Sequence, residues 1–171
     1  MQTVFEGKAW PLLRDGKLID DIDTDMIYHN SHLAITDIKQ MGQYALGNLK
    51  GYESFAKEAK PGDIVVAGQN FGSGSSRQQA IDCFKSLGIG CVLVMSIGAI
   101  SKRNAINSGY PLFIVEQIDL GALKTGDTIR VDIDKLEITK AGQKVGSLAP
   151  ISKVQRDILE AGNVFEYAKK L

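Results

Sequence analysis

The architecture of this chain follows from one run of residues, Ile64-Val65-Val66-Ala67-Gly68-Gln69-Asn70-Phe71-Gly72-Ser73-Gly74-Ser75-Ser76-Arg77. Its first four residues are apolar, which is typical of a buried strand, and the next segment is rich in glycine. An amphipathic helical pattern covers residues 76–87, and Gly88 stands where a glycine commonly ends a helix. The run therefore predicts a strand, a turn with little side-chain bulk, and a helix.

The same pattern continues along the chain. Residues 91–95 and 112–115 are apolar, and a second helical pattern over residues 98–107 separates them, ending before Gly109 and Pro111. This order predicts an α/β fold with a parallel βαβαβ core and right-handed crossovers. Ligands of such folds bind at the carboxyl ends of the strands, where the glycine-rich segment lies.

The last third of the chain has a different pattern. Residues 128–133 and 136–139 alternate apolar and polar side chains, and a turn at residues 141–143 leads into another extended segment. We therefore expect a small antiparallel β portion. Two short amphipathic helices are predicted from Ser152 onward, with a break at residues 162–163.

The composition is that of an ordinary globular protein, with 44% hydrophobic and 23% charged residues among 171. This length suits a single domain over residues 1–171. Twenty basic residues balance twenty acidic ones, so the charge indicates neither nucleic-acid nor membrane binding. The sequence shows no signal-peptide pattern and no apolar stretch of about 18 residues. We expect a cytoplasmic protein with a small-molecule or protein partner.

The glycine-rich segment contains the best candidate binding site. Ser75 or Ser76 can cap the following helix, with Gln78 and Gln79 placed as a capping box requires. Backbone amides would then point outward at the positive end of the helix dipole, and Arg77 would add a bidentate fork. Because an arginine in a first helical turn is unfavourable without an anion, the pattern favours a carboxylate or phosphate site. The alternative is that the serines only cap and Arg77 is solvated.

Three smaller features have less specific patterns. Residues 20–27 contain four aspartates, which taken alone we interpret as a solvated turn, since the calcium-loop spacing is absent. His29 and His32 have the spacing of two metal ligands but no evident third, so we interpret them as part of a surface loop. Cys83 and Cys91 are interpreted as core thiols. They are too few for an iron–sulfur cluster, which needs about three or four thiolates.

Three blocks of the sequence resemble the small subunit of 3-isopropylmalate dehydratase, in the aconitase superfamily. They are Asp-Thr-Asp-Met-Ile at residues 23–27, the glycine-rich segment to Arg77, and Arg-Asn-Ala-Ile-Asn-Ser-Gly-Tyr-Pro at residues 103–111. The resemblance spans about residues 7–150. It implies the swivelling β/β/α domain of aconitase, here as a separate chain. It also implies docking on a large subunit that carries a [4Fe–4S] cluster, in a heterodimer or heterotetramer.

The resemblance further implies a hydro-lyase of leucine biosynthesis, with no cofactor in this chain, which isomerises 2-isopropylmalate to 3-isopropylmalate by removing and re-adding water. It assigns Ser75 as the base that takes the carbon-bound proton, and Ser76 and Arg77 as substrate-binding residues. The family usually has Glu-His after the arginine, whereas this chain has Gln78 and Gln79. Six further residues match supporting positions beside the pocket: Thr24, Asp25, Asn70, Gly74, Arg103 and Asn104.

Substrate choice is expected to depend on His32, Leu33, Ala34 and Ile35, which align with the family's specificity segment. This segment reads Tyr-Leu-Arg-Thr in homoaconitase-type relatives and is apolar, for instance Tyr-Leu-Val-Tyr, in isopropylmalate types. Ala34 stands at the arginine's place, and a buried unpaired carboxylate would cost several kcal/mol, so we expect an alkylmalate substrate. The alternatives are a homoaconitase, methylmalate/citraconate or dimethylmalate hydro-lyase small subunit and, outside the enzymes, an anion-binding regulatory module.

Overall fold

Nine strands and seven α-helices make up the chain, which a computed structural model describes over residues 1–171. The strands are β1 (Val4–Pro11), β2 (Leu13–Arg14), β3 (Lys17–Leu18), β4 (Ile64–Ala67), β5 (Cys91–Val94), β6 (Leu112–Ile118), β7 (Thr128–Asp132), β8 (Glu137–Lys140) and β9 (Gln143–Leu148). The α-helices are α1 (Thr24–Ile27), α2 (Ile38–Met41), α3 (Phe55–Glu58), α4 (Gln79–Leu87), α5 (Ala99–Asn107), α6 (Lys153–Ala161) and α7 (Val164–Ala168). Short 3-10 helices cover Asn30–His32, Gly42–Tyr44 and Leu120–Ala122.

Seven strands close into a barrel in the order β1-β4-β5-β6-β9-β8-β7, and β7 pairs with β1. The neighbouring pairs β1-β4, β4-β5 and β5-β6 are parallel, and the other neighbouring pairs of the barrel are antiparallel. The predicted βαβαβ core and antiparallel portion are thus confirmed. The sequence did not show that the two portions form one closed sheet. β1 joins them, because Ala9 pairs with Ile64 of β4 while Phe5 pairs with Val131 of β7.

The central parallel strands are buried on both faces, as their uninterrupted apolar sequences require. Alternate side chains of a strand point to opposite faces. Ile64 and Val66 belong to an apolar cluster to which all seven barrel strands contribute, so this cluster fills the barrel. Val65 and Ala67 belong to a second cluster, which they share with residues of α4 and of the segment between β3 and α3. This outer cluster positions the loops around the carboxyl end of β4.

Both cysteines lie in these cores, as the sequence indicated. Cys91 belongs to the cluster inside the barrel, and Cys83 of α4 belongs to the outer cluster. Both thiols are free and fully buried. Because burial disfavours the thiolate, it raises the pKa of both thiols well above the usual range. They are packing residues.

The helix after the glycine-rich segment begins later than predicted. α4 starts at Gln79, and neither Ser75 nor Ser76 caps it. Gln78 occupies the N-cap position without a side-chain cap bond, and its amide instead donates to Asp82 at 3.1 Å. The predicted serine cap and capping box are therefore wrong. The physical reason is that contacts outside the helix, from Arg77 to Asp25 and from the Thr24 amide to the Ser73 carbonyl, hold the preceding residues in a non-helical path.

The other helix and turn predictions agree with the structure. Gly88 ends α4 with a φ of 78°, and α5 lies within the predicted residues 98–107. Positive φ values at Ala141 (50°) and Gly142 (79°) form the predicted turn between β8 and β9. α6 and α7 are separated by Gly162, as predicted. None of the helices has the length and apolar character needed to cross a bilayer.

Candidate active site

The glycine-rich segment, residues 68–77, follows β4 and packs closely against the start of α5. The buried Ser101 Oγ donates to the Gly72 carbonyl at 2.5 Å, and the Gly98 amide donates to the Phe71 carbonyl at 2.9 Å. A Cβ at Gly72 would lie 2.5 Å from Ser101 Oγ, so only glycine leaves room for this contact. The sequence interpretation missed Ser101. The available signal was Gly72 itself, because such a glycine permits close approach of another group.

Aspartates of the acidic cluster hold the same segment from the opposite side. Asp20 Oδ1 accepts from the Gln69 amide at 2.6 Å, and Asp21 Oδ1 accepts from Asn70 Nδ2 at 2.9 Å. Asn70 has a positive φ of 55°, a conformation that asparagine tolerates better than most residues. The interpretation of the cluster as only a solvated turn is therefore wrong. The carboxylates fix the path of the glycine-rich segment.

Arg77 is the charged centre of the site. Its Nη1 donates to Asp25 Oδ1 at 2.9 Å and to the Tyr28 carbonyl at 3.0 Å. The Arg77 side chain is only 11% exposed, and that of Asp25 is 39% exposed. Asp25 also accepts from the Asn30 amide at 2.9 Å and from Asn48 Nδ2 at 3.1 Å. The hydrogen bond from Arg77, followed by that from the Asn30 amide, lowers the pKa of Asp25 below its usual value.

This arrangement corrects the position predicted for Arg77. The residue precedes α4 instead of lying in its first turn, so the argument from an unfavourable helix dipole does not apply. Asp25 balances its charge instead, and the pair explains why the chain is not helical at residues 75–77. An arginine has five N–H donors, and both Nη1 donors are used. Nη2 and Nε have no acceptor within the protein, so one edge of the guanidinium remains able to bind a carboxylate.

The backbone beside Arg77 offers further donors. The amides of Gly74, Ser75, Ser76 and Arg77 donate to no acceptor within the protein. Ser75 and Ser76 are exposed, and their hydroxyls also have no partner in this chain. Gly74 turns the chain with a φ of 94°. Consecutive free amides next to a guanidinium suit an anion, so the predicted kind of site is supported on a loop and not on a helix end.

The segment 32–35 lies beside this loop. The Leu33 carbonyl accepts from Nε2 of Gln79, the first residue of α4, at 3.4 Å. Leu33 and Ala34 are exposed, and Ile35 packs against the outer core cluster. The structure thus brings the expected specificity segment against the start of α4, two residues after Arg77, with the apolar side chains of Leu33 and Ala34 exposed.

The other residues expected beside the pocket differ in whether they contact the glycine-rich segment. The buried Thr24 donates its backbone amide to the Ser73 carbonyl at 2.9 Å and so joins α1 to the glycine-rich segment. Arg103 and Asn104 lie on α5, but neither side chain makes a hydrogen bond to that segment. On this helix it is Ser101 that makes the contact.

The residues of this chain do not fit a metal centre or an iron–sulfur cluster. No group of three or more His, Cys, Asp or Glu side chains comes close enough to hold a metal ion. His29 Nδ1 lies 2.7 Å from Ser31 Oγ, and the His32 ring lies against the Tyr44 ring, so the two histidines serve local contacts. Both cysteines are enclosed in the apolar core.

Comparison with known proteins shows which class of protein this chain resembles. Residues 20–116 match the family described as the aconitase C-terminal domain. The 3-isopropylmalate dehydratase small subunit of Lachnospira eligens is 41% identical over 172 residues, covering 100% of this chain and 98% of that protein. The methanogen homoaconitase small subunit of Methanocaldococcus jannaschii is 38% identical, covering 92% and 90%.

A solved structure agrees with these relatives. The crystal structure of 3-isopropylmalate dehydratase from Methanocaldococcus jannaschii superposes with a TM-score of 0.84 at 36% identity, covering 98% of this chain and 94% of that one. This chain belongs to the small subunits of aconitase-superfamily hydro-lyases of the 3-isopropylmalate dehydratase type. The family and fold expected from the sequence are thereby confirmed.

Proposed function

We propose that this chain, acting as one swivel domain over residues 1–171, is the small subunit of a cytoplasmic hydro-lyase that interconverts 2- and 3-isopropylmalate in leucine biosynthesis. The observation that carries the proposal is that only one nitrogen of the Arg77 guanidinium makes hydrogen bonds within the protein. One nitrogen is committed to Asp25 and Tyr28, while the other edge is free beside four unpaired amides. An apolar segment, residues 32–35, adjoins this anion site. The arrangement suits a ligand with a carboxylate and a branched alkyl group.

Arg77 and Ser76 bind a substrate carboxylate in this proposal. The free Nη2 and Nε donors form a bidentate pair with the carboxylate oxygens, which fixes both the position and the plane of the group. Asp25 acts as a positioning residue, because it holds Nη1 and so sets the direction of the free edge. The amides at residues 74–77 add donors that need no rearrangement when the anion binds.

Ser75 is the proton-transfer group. During dehydration of 2-isopropylmalate it takes the proton from carbon 3, while hydroxide leaves carbon 2 on the side that faces the large subunit. During rehydration, hydroxide adds to carbon 3 and Ser75 returns the proton to carbon 2. A serine is a weak base, so its alkoxide has to be stabilised. The neighbouring free amides and the Arg77 guanidinium supply donors and positive charge for this purpose.

The large subunit carries the [4Fe–4S] cluster in this proposal, in a heterodimer or heterotetramer. A bound cluster supplies a Lewis acid for the departing hydroxyl. This assignment is supported by the ligand inventory of the present chain, whose two cysteines are both buried in the core. The contribution of this chain is to bind the substrate, orient it and move the proton.

The alkylmalate substrate is inferred from the segment 32–35. Homology alone does not separate the candidates, since one relative at 38% identity is named a homoaconitase small subunit. Ala34 is exposed beside the site and offers no charge to a further carboxylate, whereas Leu33 and Ile35 offer apolar surface. A carboxylate enclosed there would be desolvated without a partner. Homoaconitase is thus the less favoured function, and methylmalate and dimethylmalate are the nearest alternatives to isopropylmalate.

Steady-state kinetics of the complex with its large subunit, under anaerobic conditions, tests the proposal. We expect a higher kcat/KM for 2-isopropylmalate than for 2-methylmalate or homocitrate. Ala34→Arg should lower kcat/KM for 2-isopropylmalate by about tenfold or more, because binding of the isopropyl group would remove the new charge from water without a partner, and Ala34→Val is the matched control. A preference of the unaltered complex for homocitrate would refute the assigned substrate, and inactivity with all three would favour an anion-binding module.

A further inference from the structure

The first residue of the segment 32–35 is held by two aromatic rings. The His32 ring stacks on the Tyr44 ring with a centroid separation of 3.6 Å and an interplanar angle of 14°. The Tyr28 ring meets both rings edge-on, at 6.1 Å from His32 and 6.3 Å from Tyr44. Tyr28 Oη also donates to the His32 carbonyl at 3.0 Å. Both the side chain and the backbone of His32 are therefore fixed.

Tyr44 is itself fixed to the helix that follows Arg77. It ends the 3-10 helix Gly42–Tyr44, which packs against α4. The Gly42 amide donates to Ser86 Oγ of α4 at 3.0 Å. A Cβ at Gly42 would lie 2.8 Å from that oxygen and 3.1 Å from Leu87 Cγ, so this close approach depends on glycine. The position of the Tyr44 ring, on which the His32 ring stacks, is therefore fixed by contacts with α4.

A second contact from α4 reaches the same segment. Gln79 Nε2 donates to the Leu33 carbonyl at 3.4 Å, a longer and weaker bond than the others. Gln79 follows Arg77 by two residues, so α4 connects the anion site to the apolar wall. The hydroxyl of Tyr44 has no hydrogen-bond partner within the protein, which leaves the ring as the part that holds His32.

We propose that Tyr44 is a positioning residue for substrate discrimination. Its ring sets the position of His32, and therefore the distance between the apolar wall at residues 32–35 and the free guanidinium edge of Arg77. That distance determines which alkyl groups fit when the carboxylate is bound. The inference rests on the proposed hydro-lyase function. It concerns alkyl binding more than carboxylate binding, because Tyr44 has no hydrogen bond with Arg77 or Asp25 and meets only the ring of Tyr28, whose carbonyl is the group that accepts from Arg77.

The test compares Tyr44→Leu with Tyr44→Phe in the complex with the large subunit. Leucine removes the stacking surface, whereas phenylalanine keeps it and removes only the unpaired hydroxyl. We expect Tyr44→Leu to lower the ratio of kcat/KM for 2-isopropylmalate to kcat/KM for 2-methylmalate by roughly fivefold, the size of one aromatic pair. The change should arise mainly from KM for 2-isopropylmalate. Tyr44→Phe should leave the ratio within about twofold of the unaltered complex.

A purely structural role for Tyr44 gives a different result. If Tyr44→Leu lowers kcat/KM for both substrates equally, or if Tyr44→Phe shifts the ratio as much as Tyr44→Leu does, the inference is overturned. Either result requires an active unaltered complex, so it leaves the proposed function intact. An unaltered complex that converts neither substrate would instead overturn the proposed function, and this inference with it.

Discussion

Replacing Arg77 with lysine separates two roles that the guanidinium performs at once. Nη1 gives both of its hydrogens to Asp25 and the Tyr28 carbonyl, and three further donors on Nη2 and Nε remain for a ligand. A lysine has its three donors on a single nitrogen. If that nitrogen replaces Nη1, it keeps the internal contacts but has no second atom that can reach the substrate. We therefore expect Arg77→Lys to keep the fold and weaken carboxylate binding.

The two effects differ in size. The contact between Arg77 and Asp25 is partly exposed on the Asp25 side, with 39% of that side chain accessible, so its loss would cost at most about 1 kcal/mol and lysine retains part of it. The lost bidentate interaction with a substrate carboxylate is worth about 1.5–3 kcal/mol. That range corresponds to a decrease in kcat/KM of roughly 10- to 150-fold. The free energy of unfolding should change by less than about 1 kcal/mol.

Two measurements check this expectation. Urea unfolding of the isolated chain gives the stability, and anaerobic kinetics of the complex give kcat/KM. Arg130→Lys is the matched control, because Arg130 is an exposed residue of β7 whose side chain makes no hydrogen bond in the structure. Activity that survives in Arg77→Lys would refute the bidentate role. A stability loss as large in kcal/mol as the kinetic loss would show instead that Arg77 serves mainly to hold the fold.

Two further substitutions test the same site. Because hydrogen bonds lower the pKa of Asp25 in the folded protein, its charge adds stability above the unfolded pKa of about 3.9, and this stability is lost as the pH falls through the folded value. Asp25→Asn should thus lower the free energy of unfolding at pH 7 by under about 1 kcal/mol, because Asp25 is partly exposed. Urea unfolding should show the stability difference between the two proteins shrinking below about pH 4. A difference that stays constant with pH would exclude the charge of Asp25 as its cause. Ser75→Ala should lower kcat by about 100-fold or more, because general acid–base groups contribute that much. Its midpoint of urea unfolding should not change. A decrease in kcat of less than about tenfold would exclude Ser75 as the base.

The βαβαβ core was predictable because β4 and β5 are continuous apolar runs, β6 begins with one, and helical patterns lie between them. β1 was not predictable from the sequence, because its eight residues change between buried and exposed without a regular period. The helices α1 to α3 have four residues each, which is too short for a helical period to show in the sequence. Closure of the barrel depends on β1 and was missed for the same reason.

The anion site itself stays a prediction, whereas the geometry of its residues could not be predicted from the sequence. The glycines, serines and arginine of the run 68–77 indicated an anion site, and the structure leaves donors free there. The local capping rule failed because Arg77 pairs with Asp25, 52 residues earlier in the chain, and a pattern of neighbouring residues carries no information on such a contact. Ser101 and Tyr44 were missed for a similar reason, since each acts on a residue that is distant in sequence.

Closure of the barrel also limits how another subunit can attach to this one. An open sheet has an edge strand whose unpaired N–H and C=O groups can accept a strand from a second protein. Here β7 returns to β1, so all seven strands have partners on both sides, and the only free edges belong to the two-residue strands β2 and β3. A partner that contacts the barrel therefore meets side chains and loops, because the backbone groups of its strands are already paired within the sheet.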